Sequence, residues 1–264
     1  MSVLTSRDNP KVKRWAKLGQ DPRYRRSEKR ALIEGPHLLA AALEQGHKLI
    51  ALLATQEGAA DPEIAGLIAG SGVPPVFLSR AVFKHVVDAE SPPGLAAEIA
   101  IPAYDAKAAS RVVFLEGVQD PSNVGAVIRS AAAFGVERMI LDRACADPWS
   151  PKALRAGMGG HFGVSIAVVD ELHAVLESFP GKLVCTVPRG GAVLRDASLE
   201  GSIGWIFGGE GRGVSEATIG RATLRLTIPM APSMESLNVA AAAAICLYET
   251  FGKRGRDPFP RKGS

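Results

Sequence analysis

A chain of 264 residues, 47% of them apolar and 22% charged, can bury a full core, and its length suits one large domain or two modest ones. That balance excludes disordered, collagenous and coiled-coil chains. With 31 Lys and Arg against 27 Asp and Glu, the formal net charge of +4 is too small to name a partner by itself.

The opening segment, MSVLTSRDNPKVKRWAK, places charges where a signal peptide needs its apolar core, so export is not expected and the cytoplasm is the default. The next residues are strongly basic. Arg7, Lys11, Lys13, Arg14, Lys17, Arg23, Arg25, Arg26, Lys29 and Arg30 face only Asp8, Asp21 and Glu28, with Trp15 and Tyr24 interleaved. Such a cluster suits phosphate contacts, with the aromatics available for stacking on unpaired bases; the alternative is a solvated helix face.

From residue 31 to 101 the pattern alternates: strand ALIEG, helix PHLLAAALEQG, strand KLIALLAT, helix DPEIAGLIAGSG, strand PVFLS, helix RAVFKHVVDA and strand LAAEIAIP. This predicts a small α/β domain. Residues 102–110 lack periodicity and read as a linker. Alternation restarts with the strand RVVFLEGV, a helix over residues 123–134 and the strand ERMILD, then strands VSIAVV, KLVCTV, IGWIFGG and LRLTIP, and a last helix from about Ser236 to Phe251. Strands separated by helical segments predict a mainly parallel sheet with helices on both faces, whose ligand sits at the carboxyl ends of the strands. The longest apolar stretch, residues 237–248, is too short to span a membrane and contains Asn238. A second basic cluster, with Lys253, Arg254, Arg256, Arg261 and Lys262, closes the chain.

Cys145, Cys185 and Cys246 lack metal or disulfide spacing and read as buried small side chains, and the histidines show no metal-ligand pattern, so no metal is expected. His161 reads as a structural histidine.

Three polar, glycine-rich junctions follow predicted strands. In DPSNVGAVIRSAAAFGV, Asp120, Ser122 or Asn123 can cap the following helix, with Arg129 along it. In FGGEGRGVS, four glycines surround Glu210; the loop nearly spells a phosphate-binding pattern, but Val214 replaces the lysine, so a cationic or neutral ligand fits better than a phosphate. In IPMAPSMESLNVAAAAAICLYE, Pro229 ends the strand and Ser236 is a plausible cap for the last helix.

Taken in order, these junctions resemble the three motifs of the SpoU/TrmH family of RNA ribose methyltransferases, within the SPOUT superfamily. The residues are Asn123, Gly125 and Arg129; Gly208, Glu210, Gly211 and Gly213; and Ile228, Pro229, Met230, Ser236, Leu237, Asn238 and Val239. SRDNPKVKRWAKL and ALIEGPHLLAAALEQG also look like the substrate-binding domain of members acting on ribosomal RNA. The resemblance implies S-adenosylmethionine as cofactor, a ribose 2′-hydroxyl of RNA, ribosomal RNA in particular, as acceptor, a trefoil-knotted sheet and a homodimer. It implies that Asn123, Arg129, Glu210, Ser236 and Asn238 are catalytic, and that Gly208, Ile228 and Leu237 hold the cofactor. The implied organisation is an RNA substrate-binding domain at 1–101 with a basic extension at 1–30, a linker at 102–110, a methyltransferase domain at 111–252 and a basic tail at 253–264. A non-catalytic RNA-binding or ribosome-assembly protein of the same fold is the alternative.

Overall fold

The computed structural model describes residues 3–105 and 107–252, so the basic tail at 253–264 lies outside the described residues. In chain order the elements are β1 (Val3–Leu4), α1 (Pro10–Gln20), α2 (Pro22–Glu28), β2 (Arg30–Glu34), α3 (Pro36–Glu44), β3 (Leu49–Ala54), α4 (Gln56–Ala59), α5 (Pro62–Ser71), β4 (Pro75–Leu78), α6 (Arg80–Val86) and β5 (Leu95–Ala100). They continue with β6 (Arg111–Glu116), α7 (Pro121–Ala133), β7 (Arg138–Asp142), α8 (Pro151–Gly157), β8 (Ser165–Val169), α9 (Leu172–Ser178), β9 (Lys182–Thr186), β10 (Ala192–Val193), β11 (Ile203–Gly208), α10 (Glu216–Ile219), β12 (Leu224–Thr227) and α11 (Val239–Leu247).

Two compact units result. The first runs to Ala103 and includes Asp147–Phe162; the second holds Tyr104–Ala146 and the chain from Gly163 onward. In the first, a five-stranded sheet has the order β1-β4-β3-β5-β2. Strands β1, β4 and β3 are parallel, and β5 runs antiparallel to both β3 and β2. Trp15 and Leu18 of α1 and Phe83 of α6 pack with Leu53 and Leu78 of the sheet. Glu98 on β5 is fully buried beneath α1, where its carboxylate accepts from Arg14, Arg30 and the Trp15 indole. Trp15 is therefore a core residue, not the stacking platform its place in the basic cluster suggested.

The excursion at residues 147–162 departs from the expected 111–252 domain. Its side chains find their partners in the first unit: Arg25 donates to Asp147 at 2.7 Å, and Arg155 on α8 donates to Asp88 at 2.6 Å and Glu34 at 3.3 Å.

In the second unit a seven-stranded sheet has the order β10-β12-β9-β11-β6-β7-β8, with every pairing parallel. The central strands are buried on both faces, which explains their unbroken apolar runs. Val112, Phe114, Leu183, Cys185 and Ile206 face Leu172 and Leu176 of α9. On the opposite face α7 packs along α11, and the Trp205 indole donates to Thr250 Oγ1, just beyond α11, at 3.1 Å.

Candidate active site

Because β6, β9, β11 and β12 run parallel, their carboxyl ends share one edge of the sheet. The three junctions leave from it. After β6, Asp120 caps α7 by accepting from Ser122 N at 2.8 Å, which sets Asn123 in the first turn. After β11, the loop closes on itself where Gly213 N donates to Gly209 O at 2.9 Å. This loop rests directly on the first junction: a Cβ at Gly209 would stand 2.0 Å from the Gly117 carbonyl oxygen. After β12, the chain reaches Asn238, whose Oδ1 accepts from Ala240 N at 2.9 Å and Ala241 N at 3.2 Å. Asn238, not Ser236, is thus the cap of α11, because the helix begins at Val239 and Ser236 lies two residues before the cap position.

Side chains from all three junctions are joined. Asn238 Nδ2 donates to Asn123 Oδ1 at 3.0 Å, Asn123 Nδ2 donates to Glu210 Oε1, and Glu210 Oε2 accepts from Gln119 N at 3.4 Å. Beside this relay lies a cavity of about 560 Å³, a size that accommodates a small-molecule ligand. Gly208, Glu210, Ile228, Ser236, Leu237 and Asn238 all line it, with the end of β9 (Thr186, followed by Val187 and Pro188) forming another wall. Its charged lining residues are Glu210, Arg212 and Glu216.

Arg129 is not brought to this cluster. It is exposed on α7, its side chain makes no hydrogen bond or ion pair among the described residues, and six residues of helix turn it about 120° away from Asn123.

Sequence reasoning passed over the supports beneath the loops. Asp142, at the end of β7, accepts from Gly117 N at 3.0 Å and from Cys145 N at 2.9 Å, while the Cys145 sulfur accepts from Val118 N at 3.3 Å. Burial, and after it the Asp142 charge, push the Cys145 thiol up, so it serves as a neutral half-buried strut. Glu116, in register with Gly208, holds the far end of the glycine loop by accepting from Ser215 N at 2.9 Å and Ser215 Oγ at 2.7 Å. A carboxylate closing a strand was the available signal for both.

Residues 110–248 match the SpoU rRNA Methylase family, and residues 9–97 match the MRM3-like substrate binding domain. The chain belongs to the SpoU rRNA methylase family. It is 33% identical to the 23S rRNA (guanosine(2553)-2′-O)-methyltransferase RlmP of Bacillus subtilis over 96% of this chain and 100% of that protein. The crystal structure of an RNA 2′-O ribose methyltransferase is similar with a TM-score of 0.80 and 30% identity, covering 96% of this chain and 99% of the other. The SpoU methyltransferase AviRb of Streptomyces viridochromogenes, solved in complex with AdoMet, is similar with a TM-score of 0.84 and 25% identity over 93% and 98% of the two chains. The three joined junctions all lie within the stretch that matches this family, and no two of them are adjacent in sequence.

Proposed function

We propose that this protein transfers a methyl group from S-adenosylmethionine to a ribose 2′-hydroxyl of ribosomal RNA. The single observation that carries the reading is the Asn238–Asn123–Glu210 relay, which draws the three SpoU motifs together beside one cavity at the carboxyl edge of the parallel sheet.

The residues present fit that donor. The cavity joins an apolar wall, including Ile228 and Leu237, to the glycine-bounded backbone at Gly208, and its acidic Glu210 suits a cation better than an anion. S-adenosylmethionine bound there supplies a methyl carbon made electrophilic by its sulfonium sulfur, without a metal. Gly208, Ile228 and Leu237 hold the donor in this reading. Glu210, with Asn123 and Asn238 locked to it, fixes the geometry of the acceptor, since an in-line transfer depends chiefly on alignment. Ser236 adds a hydroxyl at the cavity wall. The ribose hydroxyl forms its bond to carbon as the carbon–sulfur bond breaks, and its proton leaves to a neighbouring acceptor or water. Arg129 is a poor base, its guanidinium remaining charged at neutral pH; its role is to stabilise the developing negative oxygen and hold the adjoining phosphate.

The same reading includes a homodimer. α11, VAAAAAICL, has no polar side chain, yet Ile245 is 38% exposed and Tyr248, one turn beyond Ala244, is 49% exposed. A helix apolar on every side is ordinarily covered, and a second copy seated on α11 and α7 would cover it and bring an Arg129 from a partner into play. A knotted path belongs to it as well, supported by β12 lying between the earlier strands β9 and β10. The unit around residues 1–101 serves as the RNA-binding part, and the cytoplasm, where ribosomes are assembled, is the place of action.

Incubating the protein with labelled S-adenosylmethionine and deproteinised ribosomal RNA, then mapping ribose methylation by primer extension, tests the reading. One discrete 2′-O-methyl stop is expected. Donor binding without any label transfer to RNA would favour a non-catalytic role.

A further inference from the structure

The basic amino-terminal cluster divides into two halves that differ in burial. Three of its cations are used inside the fold. Arg14 grips the buried Glu98 through two nitrogens at 2.6 Å and 2.5 Å, and Arg30 reaches the same carboxylate at 2.7 Å. Arg25, 3% exposed, holds Asp147 and the carbonyl oxygens of Leu18 and Gly19. The others point outward. Lys11, Lys17, Arg23, Arg26 and Lys29 are exposed, and none of their side chains has an ion-pair partner among the described residues. Of the neighbouring acids, Asp8 pairs with Lys13, Asp21 accepts from Arg23 N and Tyr24 N as the cap of α2, and Glu28 is an exposed single charge set against five cations.

The spacing is regular. Lys13 and Lys17 share one face of α1, and Arg23, Arg26 and Lys29 recur every third residue along α2 and its end. Lys17 sits over the Tyr24 ring at 5.5 Å, which ties the two helices' basic faces together. The helices themselves are rigidly placed, each started by an Asn or Asp cap followed by proline.

We infer that Lys11, Lys17, Arg23, Arg26 and Lys29 form a preorganised surface for the phosphate backbone of the RNA substrate, whereas Arg14, Arg25 and Arg30 serve only the fold. The inference rests on the reading of this protein as an RNA methyltransferase. A membrane surface fits less well, because the apolar residues of α1, Val12, Trp15 and Leu18, are all buried and leave no face to insert. Phosphates match the surface in charge and need no base-specific partner.

The test compares full-length variants by their affinity for deproteinised ribosomal RNA at several salt concentrations. The quadruple variant K17Q/R23Q/R26Q/K29Q is expected to bind RNA roughly 10- to 100-fold more weakly, with the slope of log affinity against log salt reduced by about 2 to 3. Its melting temperature and its affinity for S-adenosylmethionine are expected to match the wild type. R14Q and R30Q are expected to do the reverse, lowering the melting temperature while leaving the slope alone. A quadruple variant with the wild-type slope, in a protein that binds both donor and RNA, overturns the inference alone. A wild-type chain that binds the donor but no RNA overturns it together with the reading beneath it.

Discussion

Asn238 Nδ2 donates to Asn123 Oδ1 at 3.0 Å, across 115 residues of chain. The direction of this bond is imposed by α11. Because Asn238 Oδ1 is engaged by the amides of Ala240 and Ala241, only its NH₂ group can face Asn123. Asn123 must then present its oxygen backward and its own NH₂ to the Glu210 carboxylate. The start of one helix thus orients an amide on another and, through it, a carboxylate on a loop. Asn238→Ser keeps a good cap but is too short to reach Asn123, so the melting temperature is expected to hold while methyl transfer falls about 100-fold. Asn238→Ala is expected to lose the same activity and also about 1 kcal/mol of stability. Thermal melts and single-turnover rates on both variants check this, and wild-type turnover in the serine variant would refute the orienting role.

Glu210→Gln removes a charge while keeping the shape of the side chain. One carbonyl oxygen remains to accept from Asn123 or from Gln119 N. If Glu210 favours the donor through its positive sulfur, the variant should bind S-adenosylmethionine about 10-fold more weakly, equivalent to about 1.4 kcal/mol. The neutral thioether S-adenosylhomocysteine should lose much less. Calorimetry with the two ligands separates charge from contact; equal losses would mean that Glu210 acts by shape alone.

Arg129→Lys retains the positive charge and discards the planar fork. Arg129 is exposed and its side chain is unpaired among the described residues, so the substitution is expected to change stability by no more than about 0.5 kcal/mol. Methyl transfer to RNA is expected to drop by at least about 10-fold if the fork grips a phosphate and the reacting oxygen. Full activity with an unaltered pH–rate profile would remove Arg129 from the chemistry.

Most strands of both units were legible because each is a short apolar run bounded by Gly or Pro, as in IGWIFGG and PVFLS. In the basic segment Asn9-Pro10 and Asp21-Pro22 carry the signature of a cap followed by a first-turn proline, but the density of charge masks the apolar spacing of the helices that follow. The burial of Trp15 is hidden in the same way: a buried indole beside arginines is intelligible only once Glu98, far along the chain, is known to lie beneath it. The three junctions could be recognised singly by residue type. Their convergence depends on which strands lie side by side, and the order β9-β11-β6 is a tertiary fact that local periodicity does not encode.

Glu98 offers a test of the structural half of the basic cluster. Burial alone would raise its pKa, but the hydrogen bonds from Arg14, Arg30 and Trp15 outweigh burial and hold the carboxyl below its usual range. A depressed carboxyl stabilises the fold at pH values above its unfolded pKa of about 4.3, and that contribution is lost as pH falls through the lower folded value. Glu98→Gln leaves two guanidiniums facing an amide that cannot satisfy both. The expected cost is about 3 kcal/mol, toward the low end for a broken buried pair, because Arg14 and Arg30 side chains are 30% and 36% exposed and can turn to water. Denaturant melts measure it directly, and a cost below about 1 kcal/mol would place the arginines' role elsewhere.

His161 provides a pH dependence in a window where few carboxyls titrate. Its ring is buried against Trp149, with centroids 5.3 Å apart; Nε2 lies 2.8 Å from the Pro148 carbonyl oxygen and Nδ1 has no partner among the described residues. The carbonyl can only accept, so Nε2 carries the hydrogen and Nδ1 is a bare acceptor. Protonation would create a second N–H with nothing to receive it, and burial accordingly pushes the pKa down to about 4. The unfolded chain binds this proton near pH 6.5, so below that value the unfolded state holds more protons than the native one and stability falls with pH. The loss is expected to reach about 2 kcal/mol at pH 5 and to level off below the folded value. His161→Gln keeps a donor for Pro148 but does not titrate. Its stability should therefore change less between pH 7 and pH 5 than that of the wild type, by roughly the same 2 kcal/mol, since the buried Glu34 and every other carboxyl contribute alike to both proteins. Parallel urea melts at the two pH values measure the difference, and identical slopes for the two proteins would mean that His161 takes up its proton in the native state.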